Sequence, residues 1–253
     1  MTKQITFSPT GGTKKVADAI TSGISAEIET YELCNPESML SEIQLSKDDL
    51  TIIAAPVYGG RIPALAIERL KTQVKANGAK CAIVAVYGNR AYDDALLELY
   101  KTCTELGFNV IAAVGAIAEH SIVRKYGANR PDADDLDELK AFGEKIKSAA
   151  ASNNTLAENA LKGNFPYKKA MAGPNPTASK KCTGCGLCAK QCPVGAIPLT
   201  DLRKVNTDLC ISCMRCVSIC PNQARSIGMI MHTMIALAIK NGCAERKKNE
   251  LFI

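Results

Sequence analysis

The sequence predicts an α/β chain in two parts, a doubly wound parallel sheet of five strands followed by a second, small α+β domain built around cysteine. Three observations carry this. Short apolar runs alternate with helical segments across residues 1–151. Eight of the twelve cysteines crowd into residues 182–220. The charge also changes sign: residues 1–150 hold 17 Lys+Arg against 20 Asp+Glu, whereas 151–253 hold 14 against 5. A chain of 253 residues suffices for one buried domain of about 150 residues and a smaller companion.

Residues 3–7 (KQITF) read as a strand, and Lys14 to Ile24 has the composition of a helix. EIETYEL (27–33) is the next strand. LTIIAAP (50–56) and KCAIVAVYG (80–88) are continuous apolar runs of the kind found in strands buried on both faces. Between them, Leu65, Ile67, Leu70 and Val74 mark a helix after Pro63. A further helix from about Ala91 to Leu106 stops at Gly107, as a left-handed cap would stop it. NVIAAVGAI (109–117) is the fifth strand. Pro131 and the acidic residues Asp132, Asp134 and Asp135 open a last helix running to about Ala151, with negative charge where the helix dipole favours it. Ligands of such sheets sit at the carboxyl ends of the strands.

Residues 152–181, polar and holding Pro166, Pro174 and Pro176, read as a linker. Residues 182–228 form the small domain and 229–253 a terminal helix and tail. Ile227, Ile230, Met231, Met234, Ile235, Ala238 and Ile239 share one helical face, while Met229 and Leu237 lie off it, so the helix is expected to be buried on more than one side. The best membrane candidate, 227–239, is interrupted by His232 and Thr233 and is too short to span a bilayer.

CTGCGLCAKQCPVGA (182–196) repeats as CISCMRCVSICPNQA (210–224), 28 residues on, with all four cysteines, the proline and the alanine matched. The start, MTKQITFSPTGG, lacks the pattern of a secretory signal, which points to a reducing cytoplasm and to thiols that bind metal instead of pairing. Each repeat is C-x-x-C-x-x-C-x-x-x-C-P. Three thiolates at this spacing wrap one cubane and the fourth reaches the other cluster. One [4Fe-4S] cluster is therefore expected on Cys182, Cys185, Cys188 and Cys220, the other on Cys210, Cys213, Cys216 and Cys192. Zinc, the competing ligand, more often uses two separated Cys pairs. The segment resembles the bacterial two-cluster ferredoxins. Arg225 stands where the first repeat has Ile197; it is either a cation raising a cluster's potential or an arginine whose charge reaches water.

SPTGGT (8–13) lies between the first strand and first helix, where glycines, hydroxyls and a helix N-terminus can cradle a phosphate. It lacks the P-loop lysine and the three-glycine dinucleotide pattern. APVYGGRIP (55–63) and YGNRAYDD (87–94) end the third and fourth strands. Together these loops resemble those of the flavodoxins, which implies a strand order of 2-1-3-4-5 and bound FMN. The resemblance places the phosphate at Ser8, Thr10, Gly11, Gly12 and Thr13, and the ring at Pro56, Val57, Tyr58, Gly59, Gly60, Gly88, Asn89, Tyr92 and Asp93. From the residues alone, packing is the lesser alternative for Tyr58 and Tyr92, and Asp93 and Asp94 read as a solvated first helical turn. Gly12 departs from the Asn or Thr frequent at that position, which leaves the backbone cradle intact.

The two parts in this order resemble the flavodoxin-ferredoxin fusions of anaerobic bacteria and archaea, and the tail NELFI resembles that family's docking segment. The resemblance implies an intramolecular electron carrier coupling [4Fe-4S] clusters to FMN, with an FMN-dependent reductase of a small molecule as the alternative. No residue pattern argues for a catalytic acid, base or nucleophile; His120 reads as a satisfied loop histidine that could instead face the flavin. Expected partners are ferredoxin, flavodoxin or oxidoreductase proteins and a second copy in a homodimer, with no membrane partner. The basic half lacks the interleaved aromatics of a nucleic-acid binder. The opposite charges of the halves favour docking, with Lys180, Lys181 and Arg215 at the contact.

Overall fold

The computed structural model describes residues 1–36, 42–152, 154–170 and 173–253. Strands β1 (Thr2–Thr6), β2 (Ile28–Glu32), β4 (Leu50–Pro56), β6 (Lys80–Tyr87) and β7 (Asn109–Ile117) are the five strands expected, with a two-residue pair, β3 (Ile43–Gln44) and β5 (Val74–Lys75), beside them. Helices α1 (Gly12–Ser22), α2 (Ala64–Gln73), α3 (Ala95–Glu105) and α4 (Ala133–Ala150) connect or follow them. Among the five, every pairing is parallel and the order is β2-β1-β4-β6-β7, which is 2-1-3-4-5 counted along the chain. The rest comprises β8 (Thr177–Ala178), α5 (Leu187–Lys190), α6 (Arg215–Ser218), β9 (Arg225–Ser226), α7 (Met229–Ile239) and β10 (Glu250–Phe252).

Period-two alternation splits the core across the sheet. Ile5, Phe7, Ile53, Ile83 and Ala85 face α2 and α3, while Ile52, Ala54, Val84 and Val114 face α1 and α4. The α1–α4 crossing is closed by glycine: a Cβ on Gly143 would come to 2.0 Å of the Ile20 carbonyl oxygen, and one on Gly23 to 2.1 Å of that of Lys140. Asp132 caps α4 by accepting from the Asp135 amide at 3.1 Å, and Asp135 returns the bond at 3.0 Å.

The sheet differs from the expectation at one edge. The tail adds a sixth strand, β10, antiparallel to β7, with Glu250 opposite Gly115 and Phe252 opposite Ala113. It covers the amides and carbonyls that β7 would leave open. Asn249 secures the entry, accepting from the Ile117 amide at 3.0 Å and donating to Glu138 at 2.6 Å.

Two other expectations need correction. The linker is strapped down: Leu156 and Leu161 are buried in the first core, the Leu156 amide donates to Val110 at 2.8 Å, and Thr177–Ala178 pairs with Arg225–Ser226. Asn153, Met171 and Ala172 of that segment lie outside the described residues. Helix α7 is exposed, not buried. Met229 is 84% exposed, Ile230 80% and Leu237 67%, and Ala236 alone in the helix is buried. Periodicity marks an apolar face without saying whether the body of the molecule reaches it. No helix among the described residues is long and apolar enough to cross a membrane.

Candidate redox site

The cysteines gather into two sets of four. Cys192, Cys210, Cys213 and Cys216 line one small apolar cavity, and Cys182, Cys185, Cys188 and Cys220 line another. This is the crossed arrangement, with the fourth cysteine of each repeat beside the three of the other. Among the described residues, no three His, Cys, Asp or Glu side chains are gathered closely enough to hold one metal ion. The four thiols of each set line a shared cavity, the donor set that a four-iron cluster uses. The amides of Ala196 and Ala224 donate to the sulfurs of Cys192 and Cys220 at 3.3 and 3.2 Å, and such bonds favour thiolate. Burial pushes the Cys213 thiol up to about 12 and that of Cys216 up to about 11, so a bound cluster must displace their protons. The donor set fits the group.

Arg225 is buried, 3% exposed, and lines both cavities. It donates to the carbonyls of Pro176 at 3.1 Å and Leu202 at 2.6 Å, while its Nε has no partner. Of the two readings left open by the sequence, the solvated arginine is thereby removed.

At the carboxyl edge of the sheet a cavity of about 150 Å³ opens. Of the expected residues it is lined by Thr10, Gly12, Thr13, Pro56, Val57, Tyr58, Gly59 and Gly88. Helix α1 starts here with no cap from its N-cap residue Gly11 and no acidic residue in its first turn, so its N-terminus suits an anion even though Ser8 takes the Lys14 amide. Ser8 holds the loop from behind: its hydroxyl accepts from the Lys14 amide at 2.9 Å. Gly11, in the left-handed region at φ 90°, faces an adjoining cleft of about 730 Å³ together with Lys15 and Arg124. These features fit a flavin phosphate with its tail at the loop.

Four expected ring residues do not line the cavity. Asn89 donates to the carbonyls of Cys243 at 3.1 Å and Glu245 at 2.9 Å, anchoring the tail. Tyr92 is buried, its hydroxyl donating to Glu250 at 2.8 Å and its ring edge-on to Tyr87 with centroids 5.4 Å apart. Asp93 is bound to Arg90 and to Lys168, and Gly60 makes room for it, since a Cβ there would lie 2.2 Å from an Asp93 carboxylate oxygen. Nor is Asp94 solvated. Burial would raise its carboxyl, but the Lys168 and Asn164 amides, donating at 2.7 and 2.9 Å, hold it below its usual range.

Residues the sequence reading passed over complete the cavity. Ala118, Glu119, Ser121 and Ile122 follow β7, as the strand-end rule would have allowed, and His120 among them does face the cavity. Its Nδ1 accepts from the amides of Ile122 and Val123 at 3.2 and 3.1 Å. That leaves the proton on Nε2 and the ring neutral. Burial, aided by the charge of Arg90, lowers its pKa to about 4.

Gly173, Ile211 and Ser212 close the cavity from the cysteine domain's side. Ile211 also lines the cavity of Cys192, Cys210, Cys213 and Cys216, so the two cavities share it as a wall residue. Tyr58 stands in low-dielectric surroundings beside Cys213 and Cys34, and all three effects hold its phenol well above the usual value. The domains are locked by arginine on carbonyl oxygen: Arg69, 2% exposed, donates to Pro193 at 2.7 Å, and Arg215 to Pro9 at 3.3 Å. Lys180 and Lys181 were expected at this contact but are exposed, and no ion pair among the described residues joins 1–150 to 177–228.

Residues 181–225 match the family of 4Fe-4S dicluster domains. Over 44 residues the chain is 46% identical to a component of the ion-translocating oxidoreductase complex of Methanosarcina acetivorans, a match spanning 17% of either chain. Among solved structures it is similar to a flavodoxin from the Archaea, at 15% identity and a TM-score of 0.40 over 60% of this chain and 100% of that one. It is also similar to a WrbA-like flavodoxin of Agrobacterium tumefaciens, at 14% identity and a TM-score of 0.41, over 60% and 98%. The strand pairing by itself establishes a flavodoxin-like 2-1-3-4-5 sheet, and the match over residues 181–225 shows that the crossed cysteines belong to a 4Fe-4S dicluster domain.

Proposed function

We propose that the protein holds FMN in the sheet-edge cavity and two [4Fe-4S] clusters on the crossed cysteine sets, and moves electrons between them within one chain. When bound, the clusters supply one-electron steps and the flavin one- or two-electron chemistry. The observation that carries the reading is the double role of Ile211, a wall of both the flavin cavity and the inner cysteine cavity. Thr10, Thr13 and the first amides of α1 would bind the phosphate, and Tyr58 and Val57 would flank the ring. His120 Nε2 would hold a proton at the cavity wall. Ile211, Ser212 and Gly173 would cover one side of the ring, which supports the carrier over a reductase that must admit a substrate there. External redox proteins would then supply and withdraw the electrons.

Anaerobic reconstitution followed by iron, sulfide and flavin analysis is expected to give eight irons and one FMN per chain. In rapid mixing with a one-electron reductant, flavin absorbance should bleach after cluster absorbance. Replacing Cys192 by Ser should impair the inner cluster and leave FMN oxidised while the outer cluster is reduced. Zinc in place of iron, or no flavin after FMN is supplied, would overturn the reading.

A further inference from the structure

The structure assigns a docking face for a small acidic one-electron carrier protein around Cys185. The proposal rests on the electron-transfer reading above and names where electrons cross the molecular surface. The two repeats place Cys185 and Cys213 at equivalent positions, yet the fold treats them oppositely. Cys213 is buried beside Tyr58 and the flavin cavity, whereas Cys185 alone among the twelve cysteines is exposed. The module is thus mounted with one cysteine set turned inward and the other outward.

What surrounds Cys185 has the composition of an interface. Leu199 is 67% exposed and lies 3.9 Å from the position of a Cβ on Gly186, and Leu187, at the outer cavity, is also exposed. Two pairs of exposed cations flank this apolar centre. Lys180 and Lys181 immediately precede the ligand Cys182, and Arg203 and Lys204 immediately follow Leu202, which lines the outer cavity. The nearby Asp201 is engaged by Lys204 at 3.5 Å. An apolar centre within a charged rim is the anatomy of a transient protein interface. A rim of this sign selects an acidic partner and speeds encounter most at low salt. Among the described residues the four cations make no ion pair to residues 1–150, and the internal contact is held by arginines on carbonyl oxygens.

The test uses the reconstituted full chain. A reduced, acidic plant-type ferredoxin is mixed with it and cluster bleaching is followed by stopped flow; a neutral photoreduced deazaflavin serves as the small-molecule control. The second-order rate with the ferredoxin should fall as salt is raised. In the variant Lys180→Glu, Lys181→Glu, Arg203→Glu, Lys204→Glu it should drop at least tenfold, with iron content and the deazaflavin rate unchanged. Leu199→Gln, which leaves every charge in place, should lower the ferredoxin rate severalfold. A ferredoxin rate unaffected by both variants, or a deazaflavin rate that falls in parallel, would overturn the proposal. Because cluster bleaching is read separately from flavin bleaching, clusters that fill normally while the flavin stays oxidised would refute the internal path and leave the docking face standing.

Discussion

Arg215, one residue before the ligand Cys216, donates to the carbonyl oxygen of Pro9 in the phosphate loop at 3.3 Å and to Gln191 at 2.6 Å. A single guanidinium therefore ties the cysteine domain to the loop that would carry the flavin phosphate. Arg215→Gln removes a charged donor, a loss of about 1.5–3 kcal/mol where such a bond is well formed. The expected result is slower cluster-to-flavin transfer together with FMN binding weakened by roughly tenfold or more. Arg215→Lys, lacking the fork, should rescue neither in full. Flavin titration and stopped-flow bleaching measure the two effects on the same preparation.

Arg225 places a buried cation against both cysteine cavities. Such a charge favours the more negative, reduced cluster. Arg225→Ile, which installs the residue of the first repeat, should lower both reduction potentials by on the order of 60–120 mV, ten- to a hundredfold in the one-electron equilibrium. EPR-monitored titration reads this directly. A variant with both clusters intact and unshifted potentials would show that the charge is neutralised locally.

Thr13 is buried and Thr10 exposed, and both line the cavity at the start of α1. Each hydroxyl that bonds phosphate contributes about 1.5–3 kcal/mol, so Thr13→Ala should weaken FMN by roughly ten- to a hundredfold. Riboflavin has no phosphate, and its affinity should scarcely change. Equal losses for both ligands would assign Thr13 to the fold.

His120 is held neutral by burial, with its pKa lowered to about 4 from 6.5. Below the unfolded value the unfolded chain binds the proton first, so this residue's contribution to stability is complete above pH 6.5 and is lost as pH falls through about 4. Thermal unfolding of the wild type should therefore steepen its decline between pH 6.5 and 4. His120→Asn should flatten that part of the profile.

The exposed apolar residues of α7 predict self-association, since isolated apolar patches of this kind mark contact surfaces. Sedimentation of the wild type should show a concentration-dependent dimer. Ile230→Glu with Leu237→Glu should return it to monomer without affecting iron or flavin content. A wild type that remains monomeric at high concentration would free this face for another partner.

The sequence by itself determined the five parallel strands with their helices and the iron-sulfur motif. Apolar runs of strand length between helical segments were enough for the sheet, because strands buried on both faces leave a continuous hydrophobic trace. The doubled cysteine spacing was enough to expect the crossed cysteine sets, because three thiols at three-residue intervals close around one corner of the fold and the fourth, four residues further on, lies too far along to join them. Glycine and hydroxyl content marked SPTGGT, since its chemistry is local. Tertiary structure decided everything that depends on which surface meets which. Tyr92 and Asn89 looked like flavin contacts, yet the tail, more than 150 residues away, claims both through Glu250, Cys243 and Glu245. Cys185 and Cys213 are indistinguishable in the repeat, and only the docking of the module leaves one exposed and buries the other beside Tyr58. Spacing along a chain encodes local geometry, whereas burial and exposure are properties of contacts between distant segments, which no spacing records.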